Sequence, residues 1–266
     1  MSAPQVALVT GASSGFGLLT ARLLAENGFV VYGTSRRMMP DAAGVAMRQL
    51  DVTAPESITH CVQDILAITG RIDLLVNNAG QTHASFLEET PLAAARQVFE
   101  TNFWGVVGVT NAVLPTMRAR RSGRIINVSS LAGLIGAPGQ GFYAASKHAL
   151  EGYTETLRAE VASFNIAVSL VEPGFFRTNL HRTMLQATAD IPDYDRSRAA
   201  VQTAVSSAID NGGDPTQVAA LILTIAQARR PRLRYRAGAD AHRVPWLKQL
   251  LPETWFQAGM RRRFGL

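Results

Sequence analysis

A tyrosine and a lysine four residues apart, Tyr143 and Lys147, stand inside a strongly helical run from Phe142 to Phe164. That separation is about one helical turn, so the two side chains share a face. A phenol ordinarily titrates near 10, too high to exchange protons readily at neutral pH, and an ammonium beside it favours the phenolate. The spacing therefore predicts a general acid–base with a depressed pKa. Lys147 and Lys248 are the only lysines in a chain with 26 Lys and Arg residues. Where a generic cation is wanted this chain uses arginine, so Lys147 marks a place suited to a compact ammonium that can donate to two oxygens at once. The same spacing also arises by chance on helix surfaces, and the pair alone leaves that reading open.

A second chemical stretch lies near the N-terminus. Gly11, Ser13, Ser14, Gly15, Phe16 and Gly17 form a glycine-rich loop between the strand-like Val6–Val9 and a helical run. Glycines permit a tight turn and close backbone approach, and a helix N-terminus offers unpaired N–H groups and a positive dipole end to a pyrophosphate. The loop is predicted to hold a dinucleotide. The next strand runs into Ser35, Arg36 and Arg37, with no carboxylate from 34 to 37. An acidic residue there would bind a ribose 2′-hydroxyl and repel a 2′-phosphate. Its absence favours NADP(H), with Ser35 and Arg36 bonding the extra phosphate and Arg37 adding charge. NAD(H) stays possible if the arginines are merely solvated.

These groups need a scaffold. Apolar runs bounded by turn signals alternate with helical patterns, as in βαβ units. Strands are predicted at 5–10, 29–34, 46–50, 72–77, 123–129, 166–172 and 232–236, and helices at 15–27, 55–69, 91–119, 142–164 and 214–229. Runs such as Leu74–Val76 are apolar throughout, the mark of strands covered on both faces. The expected fold is a single-domain α/β architecture: a Rossmann-like, doubly wound parallel sheet of about seven strands with helices on both faces. Residues 1–238 would form the catalytic domain. Residues 177–213, polar and broken by Pro192 and Gly212-Gly213, read as short helices in a mobile cover over the substrate. Residues 239–266 would pack on the domain or on a subunit interface.

Taken together, Ser130, Tyr143, Lys147 and the Thr10–Gly17 loop resemble the short-chain dehydrogenase/reductase family, over roughly residues 5 to 235. The 35–37 segment and residues 235–240 are similar to its steroid- and retinoid-type branch. The resemblance implies that Tyr143 is general acid in reduction and general base in oxidation. Lys147 would hold the nicotinamide ribose and Ser130 the substrate oxygen, with Ser129 a structural neighbour. Asn102 would anchor a water relay to Lys147. Asp51 would meet the adenine amino group beside Val52, and Asn78, Ala79 and Gly80 would pass the adenosine ribose. Pro173, Gly174, Phe176 and Thr178 would contact the nicotinamide end. His148 follows Lys147 but points away along the helix and reads as structural.

The pocket walls are predicted from Leu131, Gln140, Phe175 and Phe176, with Ser130 and Tyr143 at the reacting end and the 179–195 segment beside them. They suit a lipophilic ketone or secondary alcohol. Two other readings stay open: a dinucleotide-binding sensor or scaffold without turnover, and an isomerase or dehydratase on the same fold.

Bulk properties narrow the rest. A chain of 266 residues with 47% hydrophobic content is a folded globule. Its single cysteine, Cys61, excludes an intramolecular disulfide and suits a reducing compartment, so the expected location is cytoplasmic. No apolar span reaches membrane length, and no His/Cys spacing suggests a metal. The charge of +6 is scattered apart from 229–236 and Arg261–Arg263, and no nucleic-acid motif accompanies it. By the resemblance, helices 91–119 and 142–164 form the contact of a homodimer or homotetramer.

Overall fold

The first apolar run, Val6–Val9, is buried at every position and forms strand β1. It belongs to a seven-stranded parallel sheet with β2 (Val30–Ser35), β3 (Val45–Gln49), β4 (Leu74–Asn77), β5 (Gly123–Val128), β6 (Ile166–Pro173) and β7 (Arg234–Ala237). The spatial order is β3-β2-β1-β4-β5-β6-β7. The order reverses between β1 and β4, and a crevice opens there beyond the strands' carboxyl ends, where open α/β sheets bind ligands. The computed structural model describes residues 3–178, 185–186 and 191–266.

Alternate residues of each strand point to opposite faces, and each face has its own core. Val9, Val76 and Ile126 meet α1 (Gly15–Glu26) and α7 (Thr216–Gln227) through Ala21, Leu24, Val218 and Ile222. Leu8, Leu75 and Ile125 meet α2 (Pro55–Thr69), α4 (Gly105–Arg120) and α5 (Gly141–Glu160) through Ile58, Ile65, Val109, Val113 and Leu157. Cys61 is buried in the second cluster, where burial pushes its thiol up to about 11 and leaves it unreactive. Arg124 of β5 donates to the carbonyls of Ile225, Ala226 and Ala228, capping α7 from the sheet.

Three regions differ from expectation. The helix predicted over 91–119 is α3 (Leu92–Phe99), a π-helical turn at Glu100–Trp104, and then α4. Within the segment read from sequence as a cover, α6 (Asp195–Asp210) is one helix of 16 residues rather than several short ones. Its Val201 and Val205 bury against the body, which one amphipathic face achieves better than broken turns. The tail, for which apolar content predicted a partner but no element, forms α8 (Ala239–Leu250) and α9 (Glu253–Arg263). Among the described residues, no helix is long and apolar enough to cross a membrane.

Candidate active site

The glycine loop lies between β1 and α1 and is knitted to the loop after β4. Thr10 Oγ1 accepts from the backbone N–H groups of Asn78 at 3.0 Å and Ala79 at 2.9 Å. The Asn78 amide donates back to the Thr10 carbonyl at 2.9 Å and the Gly11 carbonyl at 3.2 Å. The Asn78 side chain thus holds the loop rather than facing outward. Gly11 has φ +67°, and a Cβ there would lie 2.9 Å from Ala79 Cα. A Cβ on Gly17 would strike the Gly11 carbonyl oxygen and the Asn78 amide. By contrast, Gly15 has φ +54° and open space over it. α1 has no side-chain cap from Ser14 and no acidic residue in its first turn, and Ser13 and Ser14 are exposed beside it. These N–H groups and the dipole are left for an anion.

At the end of β2 the Ser35 hydroxyl donates to the Arg37 carbonyl, and Gln49 Nε2 donates to the Arg36 carbonyl at 3.1 Å. This fold-back leaves the Arg36 and Arg37 side chains exposed. Asp51 Oδ1 accepts from Thr53 N and Thr53 Oγ1, at 2.9 and 2.8 Å, and so orders the turn into α2. Val52 fills the space where a Cβ on Gly105 would fall, locking this turn to the start of α4.

Tyr143 and Lys147 stand on the first turns of α5, with Lys147 Nζ 5.9 Å from the centre of the Tyr143 ring. Ser130, two residues past the end of β5, lines the same cleft as Tyr143. Its Oγ accepts from Ala132 N at 3.1 Å, which fixes the serine as cap of the turn Leu131–Gly133. Lys147 is buried and donates to the Val128 carbonyl at 2.8 Å. Burial pulls the Lys147 ammonium down to about 8, against an upward push from Glu151. Burial also pushes the Tyr143 hydroxyl above its ordinary value, and the nearby Ser130 hydroxyl offsets only part of that. The expected depression is therefore reversed among the protein's own groups. Desolvation of the phenolate outweighs the help it receives.

Asn102 lies in the π-turn, fully buried. Its Oδ1 accepts from Gln81 N at 2.9 Å, and its Nδ2 donates to the Gln81 carbonyl at 2.9 Å and to Ser146 Oγ at 3.1 Å. Ser146 in turn donates to the Tyr143 carbonyl at 2.7 Å. The far side of α5 is held by Arg234 of β7, which bonds Glu151, Glu155 and Glu172. His148 is exposed and its ring nitrogen lies 2.9 Å from the Ala144 carbonyl on its own helix.

Ser130, Leu131, Gln140, Tyr143, Pro173, Gly174, Phe175, Phe176 and Thr178 all line one open cleft. Phe176 is only 3% exposed. Its ring meets Phe16 edge to face at 5.6 Å and packs on Gly213 and Gly238, so it is as much a core wedge as a wall. α6 is tied to the body by Arg198, which bonds the buried Glu89, while Glu89 Oε1 also accepts from Ile191 N at 3.1 Å. Most of the 179–195 wall predicted from sequence lies outside the described residues.

Residues 5–189 match the family described as short chain dehydrogenase. The chain is a short-chain dehydrogenase/reductase. A 3-ketodihydrosphingosine reductase of Bacteroides thetaiotaomicron is 42% identical over 261 residues, covering 97% of each chain. Retinol dehydrogenase 8 of Bos taurus is 39% identical over 272 residues, covering 94% of this chain and 86% of the relative. A short-chain dehydrogenase from Streptomyces avermitilis superposes with a TM-score of 0.84 at 37% identity, over 100% of this chain and 98% of the other. Similar solved chains hold either dinucleotide. A Burkholderia phymatum short chain dehydrogenase/reductase is in complex with NAD (26% identity, TM-score 0.80, 97% of each chain). ElxO has NADP bound (26%, TM-score 0.73, 88% of this chain and 97% of ElxO).

As a member of this NAD(P)-dependent family, the enzyme acts on the CH–OH/carbonyl pair. Sequence reasoning about this dehydrogenase/reductase missed several cleft residues. Thr82, Val244, Met260, Arg263 and Phe264 line the cleft, and four of them come from α8, α9 and the residue after it. Their spacing carries no signal, because they reach the site only when the tail folds back. Ser146 was legible only as filler between Tyr143 and Lys147.

Proposed function

We propose that the chain is an NADP(H)-dependent reductase that interconverts lipophilic ketones and secondary alcohols. The observation that carries this reading is the placement of Ser130 and Tyr143 together in one cleft walled by Leu131, Ile135, Phe175 and Met260. A carbonyl oxygen seated between the two hydroxyls would accept from both. Ser130 would stabilise its developing charge, and Tyr143 would deliver the proton. With its pKa raised, Tyr143 is protonated at neutral pH, so the proton it would donate is in place.

The dinucleotide, when bound, supplies or accepts hydride. The N-terminus of α1 with Gly11, Ser13, Ser14, Gly15, Phe16 and Gly17 would hold its pyrophosphate. Asp51, Val52, Ala79 and Gly80 would flank the adenosine, and Lys147 its other ribose, with Pro173, Gly174 and Thr178 at the nicotinamide end. Exposed Arg36 and Arg37 beside Ser35, without a neighbouring carboxylate, favour the 2′-phosphate. The names of the two relatives agree with a lipophilic carbonyl or alcohol. We also read the protein as a cytoplasmic homodimer or homotetramer joined through α4 and α5, as the family resemblance implies.

The test follows absorbance at the nicotinamide band with a panel of ketones, for wild type and Tyr143→Phe. The variant should lose about 10²- to 10⁴-fold in rate, the usual worth of a positioned acid. Turnover by Tyr143→Phe at the wild-type rate would remove this residue from the reaction. Dinucleotide binding without turnover on any ketone or alcohol would point instead to a sensor or scaffold.

A further inference from the structure

We propose that the outer face of α8 and α9 docks on an anionic lipid bilayer. The inner face of the pair is spoken for: Val244, Leu251, Phe256 and Met260 pack on Leu131, Leu134 and Ile135 of the loop that follows Ser130. The outer face is not. Trp246 is 57% exposed, Leu247 39%, Leu250 61% and Trp255 69%. Arg243, Trp246, Leu247 and Leu250 recur at i, i+3, i+4 and i+7, which is one stripe along α8. Large apolar side chains left in water together on adjoining helices mark an interaction surface.

The charges decide the occupant. Residues 239–266 hold Arg243, Lys248, Arg261, Arg262 and Arg263 against Asp240 and Glu253, and α9 ends on its three arginines. None of these cations forms an ion pair with a described residue, and Arg261, Arg262 and Arg263 are exposed. A two-fold contact with a second copy would press this cationic face against itself. A leaflet of anionic lipid complements it: tryptophans settle at the headgroup level, leucines enter the acyl boundary and arginines meet phosphates.

The same two helices also line the cleft through Val244, Met260 and Arg263, so docking would set the mouth of the cleft against the lipid. That advantage rests on the lipophilic substrate proposed above, whereas the docking itself does not.

Flotation of the full-length protein with vesicles of phosphatidylcholine, alone or mixed with phosphatidylglycerol, tests the proposal. No dinucleotide or ketone is present, so failure here leaves the reductase reading untouched. Binding should be confined to the anionic vesicles and should weaken as salt is raised. Arg261→Glu/Arg262→Glu and, separately, Trp246→Ser/Trp255→Ser should each reduce it by about tenfold or more, with melting temperature unchanged because all four side chains are exposed. In a Trp104→Phe background, brominated phospholipids should quench the remaining tryptophan fluorescence. Absence of binding, equal binding to neutral and anionic vesicles, or full binding by the Trp246→Ser/Trp255→Ser variant would overturn the proposal. So would sedimentation in which wild type ignores vesicles and those two substitutions instead break an oligomer, which would assign the face to a second copy.

Discussion

Asn102 and Ser146 meet across 3.1 Å between a π-helical turn and the helix that carries Tyr143. A π-turn adds a residue to the helical cycle and turns Asn102 inward, where a mid-helix asparagine is otherwise a poor fit. From there the amide joins the Gln81 backbone, Ser146 and, through Ser146, the Tyr143 carbonyl. Removing the middle member should loosen the tyrosine without touching substrate. Ser146→Ala leaves a buried Asn102 N–H without its partner and should cost about 1–3 kcal/mol, read by denaturant unfolding. It should also lower kcat about tenfold with KM nearly unchanged. A variant as stable and as fast as wild type would show that the chain of bonds positions nothing.

The pH dependence follows from Lys147. Its ammonium is pulled down to about 8 by burial and held up in part by Glu151. Reductive kcat/KM should be flat below that value and fall about tenfold as pH rises through it, because the cation is lost. Glu151→Gln removes the upward push, so its inflection should move to lower pH. The same burial is a stability penalty. Lysine is protonated below about 8 in the fold but up to about 10.5 when unfolded, so the fold is penalised fully below 8 and progressively less between the two. Lys147→Met should therefore raise stability at pH 7 by on the order of 1–3 kcal/mol while abolishing turnover. The advantage should disappear near pH 10, as urea melts across pH would reveal.

Two glycines of one loop should respond differently to the same methyl group. Gly17→Ala must push on the Gly11 carbonyl and the Asn78 amide, both fixed by hydrogen bonds, at a cost of about 1–3 kcal/mol. Because those groups shape the loop, dinucleotide affinity should fall at least tenfold in a titration. Gly15→Ala meets nothing and carries only its left-handed backbone strain, about 1 kcal/mol. Equal effects would contradict the packing of the loop.

Cofactor choice has a separate test at the end of β2. Ser35→Asp with Arg36→Ala sets a carboxylate where a 2′-phosphate would lie and removes an exposed cation. The ratio of kcat/KM for NADPH over NADH should drop roughly tenfold to hundredfold. An unchanged ratio would mean that the phosphate is read elsewhere.

Much of this architecture was written in local patterns. The strands at Val6–Val9, Leu74–Asn77 and Ile166–Pro173 are apolar runs, and α1, α2 and α5 follow helical periodicity that needs no knowledge of distant residues. The glycine loop and the Tyr143–Lys147 pair lie within single segments, so their spacing alone set out candidates for the phosphate and proton work. Tertiary structure decided what depends on segments far apart in the chain. It reversed the direction of the Tyr143 pKa, because burial is a property of the whole fold and not of a four-residue spacing. It turned Asn102 toward Gln81 and Ser146, which lie 21 and 44 residues away. It brought Val244, Met260 and Phe264 into one cleft with Ser130 and Tyr143, more than a hundred residues upstream, since a folded tail joins any wall its apolar face can cover. Sequence specifies periodicity and chemistry one segment at a time, whereas solvent exclusion and partnership arise only when the segments close on one another.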